Sequence, residues 1–230
     1  PNTQWKKNAI GKSWYLGETV INGIGQGYIQ TTPLQLCLMT AQIANGGYKI
    51  KPHIMYDKKN YFENIKSKIA NQFINNENVF GSSTNGVNYL EDREFKIYER
   101  LYKKSQNINF VKDAMFGSTN EKYGTSYSSR HENPKYQFAG KTGTSQVKRI
   151  TEEERKLALK QSEIEYKNRD HALYIAFAPY IEPRYSISVL VEHGGSGSKA
   201  AAPLANKLIK KIIDRHKIRE QTRKANITLA

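Results

Sequence analysis

The stretch Phe138-Ala139-Gly140-Lys141-Thr142-Gly143-Thr144-Ser145 decides how this chain is read. It has the make-up of a short strand with Lys-Thr-Gly-Thr at its middle. Lys141 supplies a compact positive charge, and Thr142 and Thr144, two residues apart and so on one strand face, supply hydroxyl donors. Gly143 between them weakens a strand unless another backbone or a ligand must come close there. An anionic, peptide-like ligand adding itself along this strand edge would use Lys141, Thr142, Gly143 and Thr144 together. The plainer reading is a buried strand that ends in a turn, with Lys141 in solvent.

Two apolar strands follow this segment, Ala172–Ala178 and Tyr185–Val191, joined by Pro179-Tyr180-Ile181-Glu182-Pro183-Arg184. In the second, Tyr185, Ile187, Val189 and Val191 alternate with Ser186 and Ser188, which predicts a half-buried strand in an antiparallel hairpin. The Gly-rich turn His193-Gly194-Gly195-Ser196-Gly197 then opens a last helix with an apolar stripe of Ala201, Leu204, Ala205, Leu208 and Ile212. Pro203 is tolerable there only in the first turn, and the basic tail after Asp214 is expected to fray.

Upstream, Thr32 fits a helix N-cap, Pro33 the first helical position and Gln35 the third position of a capping box. The apolar surface spread over Leu34–Ile43 predicts a buried helix that ends at Asn45-Gly46-Gly47, with Cys37 as a core residue. Residues 1–31 are rich in Gly and aromatics and end in the turn Gly23-Ile24-Gly25-Gln26-Gly27-Tyr28. A further helix is expected from Phe110 to Thr125, closed by Gly124. Surface insertions are expected at about 57–110, with a short helix near Arg93–Tyr102, and at 148–170 as a charged, solvated helix. The fold class is α+β, an antiparallel sheet flanked by helices.

At 230 residues the chain can hold one large domain with a proper core, and 38% hydrophobic residues suit a folded protein. No apolar run approaches the ~20 residues of a membrane span, and no signal-peptide pattern opens the chain. It begins with Pro1 instead of Met and is read as a portion of a longer protein. The net charge of +15 raises nucleic acid as a partner, yet the Lys and Arg residues are spread out with no interleaved aromatics, so none is expected. The same charge suits an anionic membrane surface or cell-wall polymer. The five His residues lack metal-ligand spacing and the single Cys37 excludes an internal disulfide, so neither metal nor cofactor is expected.

The order of helix, Lys-Thr-Gly-Thr strand, hairpin, Gly-rich turn and terminal helix resembles a penicilloyl-serine transferase domain. Trp14-Tyr15-Leu16-Gly17-Glu18-Thr19, Gly23 to Tyr28, Thr32-Pro33-Leu34-Gln35, Ala44-Asn45-Gly46-Gly47 and Pro52-His53 narrow it to class B penicillin-binding proteins of the elongation type. So do Ala176-Phe177-Ala178-Pro179 and Glu192-His193-Gly194-Gly195. The resemblance implies that residues 1–230 are the C-terminal portion of a D,D-transpeptidase domain that cross-links stem peptides through an acyl-serine and is acylated by β-lactams. It implies Lys141 and Thr144 as catalytic groups, with Lys141, Thr142, Gly143 and Thr144 binding the substrate. The β-lactamases and β-lactam sensors, or a non-catalytic peptide-binding module, remain alternatives.

Such enzymes also need a Ser-x-x-Lys nucleophile and a Ser-x-Asn, which in this family precede the Gly-Ile-Gly-Gln-Gly segment. Ser145 to Lys148, Ser196 to Lys199, Ser118-Thr119-Asn120 and Ser83-Thr84-Asn85 match those patterns only by composition, so no nucleophile is expected in this chain. The resemblance further implies a bacterial periplasmic protein, anchored to the inner membrane by an N-terminal segment and paired with a membrane glycan polymerase. The chain by itself is expected to be inactive and to expose apolar faces that favour self-association.

Overall fold

A computed structural model of the protein describes residues 1–52, 99–148 and 163–228. Its centre is a three-stranded antiparallel sheet in the order β1 (Ala139–Ser145), β2 (His171–Ala178) and β3 (Tyr185–Val191). The register places Lys141 opposite Ile175, Thr142 opposite Tyr174 and Thr144 opposite Ala172. β2 is paired on both sides, whereas among the described residues β1 is an edge strand.

Helices cover both faces of the sheet. α3 (Pro33–Ala44) and α4 (Ser105–Asn120) lie on one side, and α5 (Ala202–Thr228) lies on the other. Alternation along β2 divides the core accordingly. Ala172, Tyr174, Ala176 and Ala178 are fully buried against Ala201, Ala202, Ala205, Ile209 and Ile213 of the α5 layer, together with Phe138. Phe177 joins Ala44, Met115 and Ala139 on the α3–α4 side, backed by Ile43, Phe116 and Ile175. The small alanines let α5 approach closely, and a buried ring such as Phe138 contributes on the order of 2 kcal/mol.

The hairpin and its alternation are as the sequence predicts. Tyr185, Ile187, Val189 and Val191 pack in the α5 core, while Ser186 turns to α3, where it meets the Cys37 thiol at 3.2 Å. The α3 cap is also as predicted: Thr32 Oγ1 accepts from the Gln35 N–H (3.2 Å) and Gln35 Oε1 accepts from the Thr32 N–H (2.8 Å). Its end is closed by Gly46 and Gly47, both with positive φ (91° and 87°). Only Thr40 and Ala44 of α3 are buried, however, and Leu34 is 64% exposed. One side of the helix packs on β2 and β3, and the other opens on a cavity, so it is half-buried instead of a core helix.

Two further expectations change. α4 begins at Ser105, five residues before Phe110, and ends at Asn120, with Gly124 in the turn that follows. α5 continues unbroken to Thr228 through the tail expected to fray, because Lys, Arg, Glu and Gln are good helix formers despite their charge. A π-helical turn, Gly197–Ala201, precedes it and places Pro203 in the first turn of α5.

Residues 1–31 hold two short helices, α1 (Thr3–Ile10) and α2 (Leu16–Gly23), ahead of the expected turn, where Gly25 and Gly27 have φ of 78° and 74°. Lys6 joins them. It is 2% exposed, ion-paired to Glu18, donates to the Ser13 carbonyl (2.6 Å) and lies over the Tyr15 ring. The Lys6 hydrogen bond holds the Glu18 carboxyl below its usual range.

Residues 99–102 run beside the end of α3. Tyr48 bridges Arg100, and Lys49 pairs with Glu99 through both backbone (2.8 Å) and side chain (2.6 Å). The remainder of the Arg93–Tyr102 helix expectation, most of the 57–110 insertion, and positions 149–162 of the 148–170 insertion lie outside the described residues. At the close of the latter, Tyr166–Asn168 forms a single 3-10 turn.

Candidate active site

The edge strand β1 brings together all four residues singled out in the sequence. Alternation places Lys141 and Gly143 on the α3–α4 face with Ile175 and Leu173, and Thr142 and Thr144 on the opposite face. The Lys141 ammonium bends back to donate to the Thr142 carbonyl (2.7 Å) and reaches the Thr142 hydroxyl at 3.4 Å. Lys141 and Thr144 are exposed, and Thr142 and Gly143 are half-buried. Cation and hydroxyl therefore meet at the rim of the sheet instead of being lost in the core.

Lys141 lines a cavity of about 780 Å³ between α3, α4 and β1, walled by Met39, Ile43, Phe110, Met115 and Thr125. The walls are mainly apolar, so the ammonium is the one cation among the lining residues, with Asp113 and Glu121 at the α4 side. Asp113 accepts a hydrogen bond from Tyr180 (2.7 Å), which pushes the Tyr180 phenol up.

Gly143 has a backbone neighbour, as a strand glycine often does. A Cβ on Gly197, in the π-turn, would sit 2.7 Å from the Gly143 carbonyl oxygen and 2.5 Å from that of Leu173. The turn ahead of α5 thus presses directly on the middle of the β1–β2 ladder, and the missing side chain of Gly197 makes the approach feasible.

β1 is held from below by a buried hydroxyl cluster. Tyr174 is fully buried and its Oη meets Thr119 Oγ1 at 2.9 Å and Ser126 Oγ at 3.0 Å. Burial pushes the Tyr174 phenol up, against the opposing effect of those two hydrogen bonds. Asn120 donates to the Phe138 carbonyl (2.9 Å), tying the end of α4 to the entrance of β1.

A second hydroxyl row reaches the site itself. Ser118 Oγ lies 3.2 Å from Thr125 Oγ1, which lies 3.4 Å from Thr142 Oγ1. Gly124 permits it: a Cβ there would collide with the Ser118 carbonyl and come within 2.5 Å of that of Gly117. The chain can therefore fold back over the end of α4 and deliver Thr125 to β1. Sequence reasoning did not give Thr125 this place. The signal was Gly124-Thr125 directly after a helix.

The pattern look-alikes separate in space. In Ser118-Thr119-Asn120 the serine faces Thr125, Thr119 is locked to Tyr174, and Asn120 serves backbone carbonyls. Lys199 lies in the π-helical turn Gly197–Ala201 that follows the expected Gly-rich turn, and Ser196 is its N-cap, with extended backbone. The Ser196 hydroxyl pairs with Ser198 (3.0 Å), and Lys199 is exposed. Ser145 is exposed at the end of β1, and Ser83 to Asn85 lie outside the described residues.

The family profile described as penicillin binding protein transpeptidase domain matches residues 3–210. The chain belongs to that family. The chain is 31% identical over 214 residues to the peptidoglycan D,D-transpeptidase MrdA of Salmonella typhimurium, and 30% identical to MrdA of Escherichia coli K12. The match covers 93% of this chain and 30% or 28% of those relatives, so it spans under a third of their length. Among solved structures it is similar to penicillin-binding protein PBP2 of Helicobacter pylori, in a complex with MreC. There the TM-score is 0.64 at 27% identity, over 93% of this chain and 30% of that one. It is also similar to Pseudomonas aeruginosa PBP2 bound to WCK 5153, with TM-score 0.60 at 29% identity, over 92% of this chain and 37% of that one. The mixed helix and antiparallel-sheet architecture is that of these transpeptidases. Among the described residues no helix is long and apolar enough to cross a membrane.

Proposed function

We propose that this chain supplies the substrate strand of a serine-type peptidoglycan D,D-transpeptidase and does not itself carry the nucleophile. The observation that carries the reading is the Lys141 ammonium gathered with the Thr142 hydroxyl on an edge strand beside an open cavity. A stem peptide ending in D-Ala-D-Ala lies antiparallel along β1. The Thr142 and Thr144 hydroxyls hold its terminal carboxylate, and Lys141 lends positive charge to carboxylate and nucleophile alike.

The serine attacks the penultimate carbonyl, forming the acyl-enzyme and expelling D-Ala, and the amine of a second stem peptide then takes the acyl group. The Thr144 backbone N–H stabilises the oxyanion; one such donor is worth about 3 kcal/mol in comparable acyl transfers. A β-lactam enters as a mimic of the acyl donor. The whole protein acts in the periplasm, held to the inner membrane, with a membrane glycan polymerase as partner. Residues 1–230 form the C-terminal portion of its transpeptidase domain, and segments about 57–110 and 148–170 are insertions.

Fluorescent penicillin tests this. The full-length protein takes a covalent label and Lys141→Ala abolishes it, while the 230-residue chain stays unlabelled. Labelling of the chain alone would refute the external nucleophile. Undiminished labelling of the full-length Lys141→Ala variant would refute the role of Lys141.

A further inference from the structure

The outward side of α5 carries a pattern that the transpeptidase reading leaves unused. Its inward side is the buried row Ala202, Ala205, Ile209 and Ile213. Opposite it, at spacings of three and four, run Leu204, Lys207, Leu208, Lys211, Arg215 and Ile218, every one of them exposed. Leu204, Leu208 and Ile218 are 44%, 46% and 62% exposed, which is unusual for aliphatic residues that could have been placed inward. The row extends over about 21 Å at 1.5 Å per residue.

Charge on this side has one sign. The acids of α5 are Asp214 and Glu220. Asp214 faces the flank, where Lys210 (2.7 Å) and Tyr136 (2.5 Å) donate to it, with Lys135 at 3.5 Å, so it does not neutralise the outward cations. Asp214 is thereby held down to about 2, through the Lys210 and Tyr136 hydrogen bonds, and stays an anion committed to its own neighbours. Glu220 lies two residues beyond Ile218, past the end of that row. The net charge of +15 acts in the same direction.

We propose that this side of α5 docks on an anionic phospholipid surface. A helix that lies in the bilayer interface needs aliphatic groups for the acyl boundary and cations for the headgroups on one side of one cylinder. The interleaving of Leu204 and Leu208 with Lys207, Lys211 and Arg215 meets both needs. A soluble polyanion would use the cations alone and leave the leucines without purpose. Nucleic acid is disfavoured for the same reason.

The test is co-sedimentation of the intact 230-residue chain with vesicles of phosphatidylglycerol and phosphatidylcholine, against phosphatidylcholine alone. Binding is expected only to the anionic vesicles, and it weakens with added salt. The variant Lys207→Glu/Lys211→Glu/Arg215→Glu weakens binding about 100-fold, taking each cation's share near a charged surface. Leu204→Ser/Leu208→Ser weakens it about ten-fold with charge unchanged. Lys103→Glu/Lys104→Glu/Lys122→Glu makes the same change in net charge at exposed positions elsewhere and should retain most of the affinity. Circular dichroism checks each fold, and Lys207→Gln/Lys211→Gln/Arg215→Gln replaces the acidic triple if that one unfolds. Absence of vesicle binding, equal losses in the two charge triples, or full affinity in the serine variant would each overturn the proposal.

Discussion

Gly140→Ala is the sharpest perturbation of the strand that carries Lys141. A Cβ at position 140 would collide with the Tyr174 hydroxyl and lie 2.5 Å from Cζ and 2.7 Å from Cε1 of that ring. Carbon pairs are content at about 3.5–4.0 Å, so an overlap on the order of 1 Å must be relieved by movement. The ring cannot easily yield, because it is fully buried and its Oη is held by Thr119 and Ser126. Overpacking of this kind costs about 1–3 kcal/mol. Tyr174→Phe should give little relief, since the two ring carbons stay where they are. Tyr174→Leu removes both, so Gly140→Ala/Tyr174→Leu should be more stable than the sum of its parts by about 1 kcal/mol or more. Urea unfolding followed by circular dichroism measures all four members of the cycle. A Gly140→Ala variant within ~0.5 kcal/mol of the parent sequence, or simple additivity in the double variant, would show that the ring does not sit under β1 as described.

Thr32→Ala removes the acceptor for the Gln35 N–H and should cost about 1 kcal/mol in the same assay, with Thr32→Ser close to neutral. Asp214 ordinarily titrates near 3.8 and is held down to about 2, so its contribution is present above 3.8 and fades as pH falls towards 2. Thermal unfolding across that acid range should be less steep in Asp214→Asn; an unchanged slope would remove Asp214 as a source. Leu34 and Phe110, 64% and 74% exposed, should drive concentration-dependent association seen by light scattering, and Leu34→Ser/Phe110→Ser should reduce it. A clean monomer at every concentration would contradict that.

What could be seen in the sequence was whatever is decided locally. Thr32, Pro33 and Gln35 announce a helix start within four residues, and the Tyr185–Val191 alternation announces a strand whose two sides differ. The Lys-Thr-Gly-Thr strand was legible for the same reason, together with its place ahead of a hairpin. The missed features are set over distance. Lys6 is buried because Glu18, the Ser13 carbonyl and the Tyr15 ring close around it, and a lysine in a short helix gives no hint of that. Thr125 reaches Thr142 only because Gly124 lets the chain fold over the end of α4. The extent of α5 is hidden for a local reason: the density of charge after Asp214 masks the helix propensity of the residues that carry it.

The ladder joining Gly47–Lys49 to Glu99–Leu101 sets the described residues on either side of segment 53–98 next to each other, between α3 and α4. Gly47 makes room for it, since a Cβ there would press into the Tyr102 ring and lie 3.0 Å from Ile108. Holding these two points together fixes a closure cost that rises only about 0.6 kcal/mol for each doubling of the number of residues between them. A reporter domain inserted between positions 53 and 98 should therefore leave β1 in register and the rest of the sheet undisturbed.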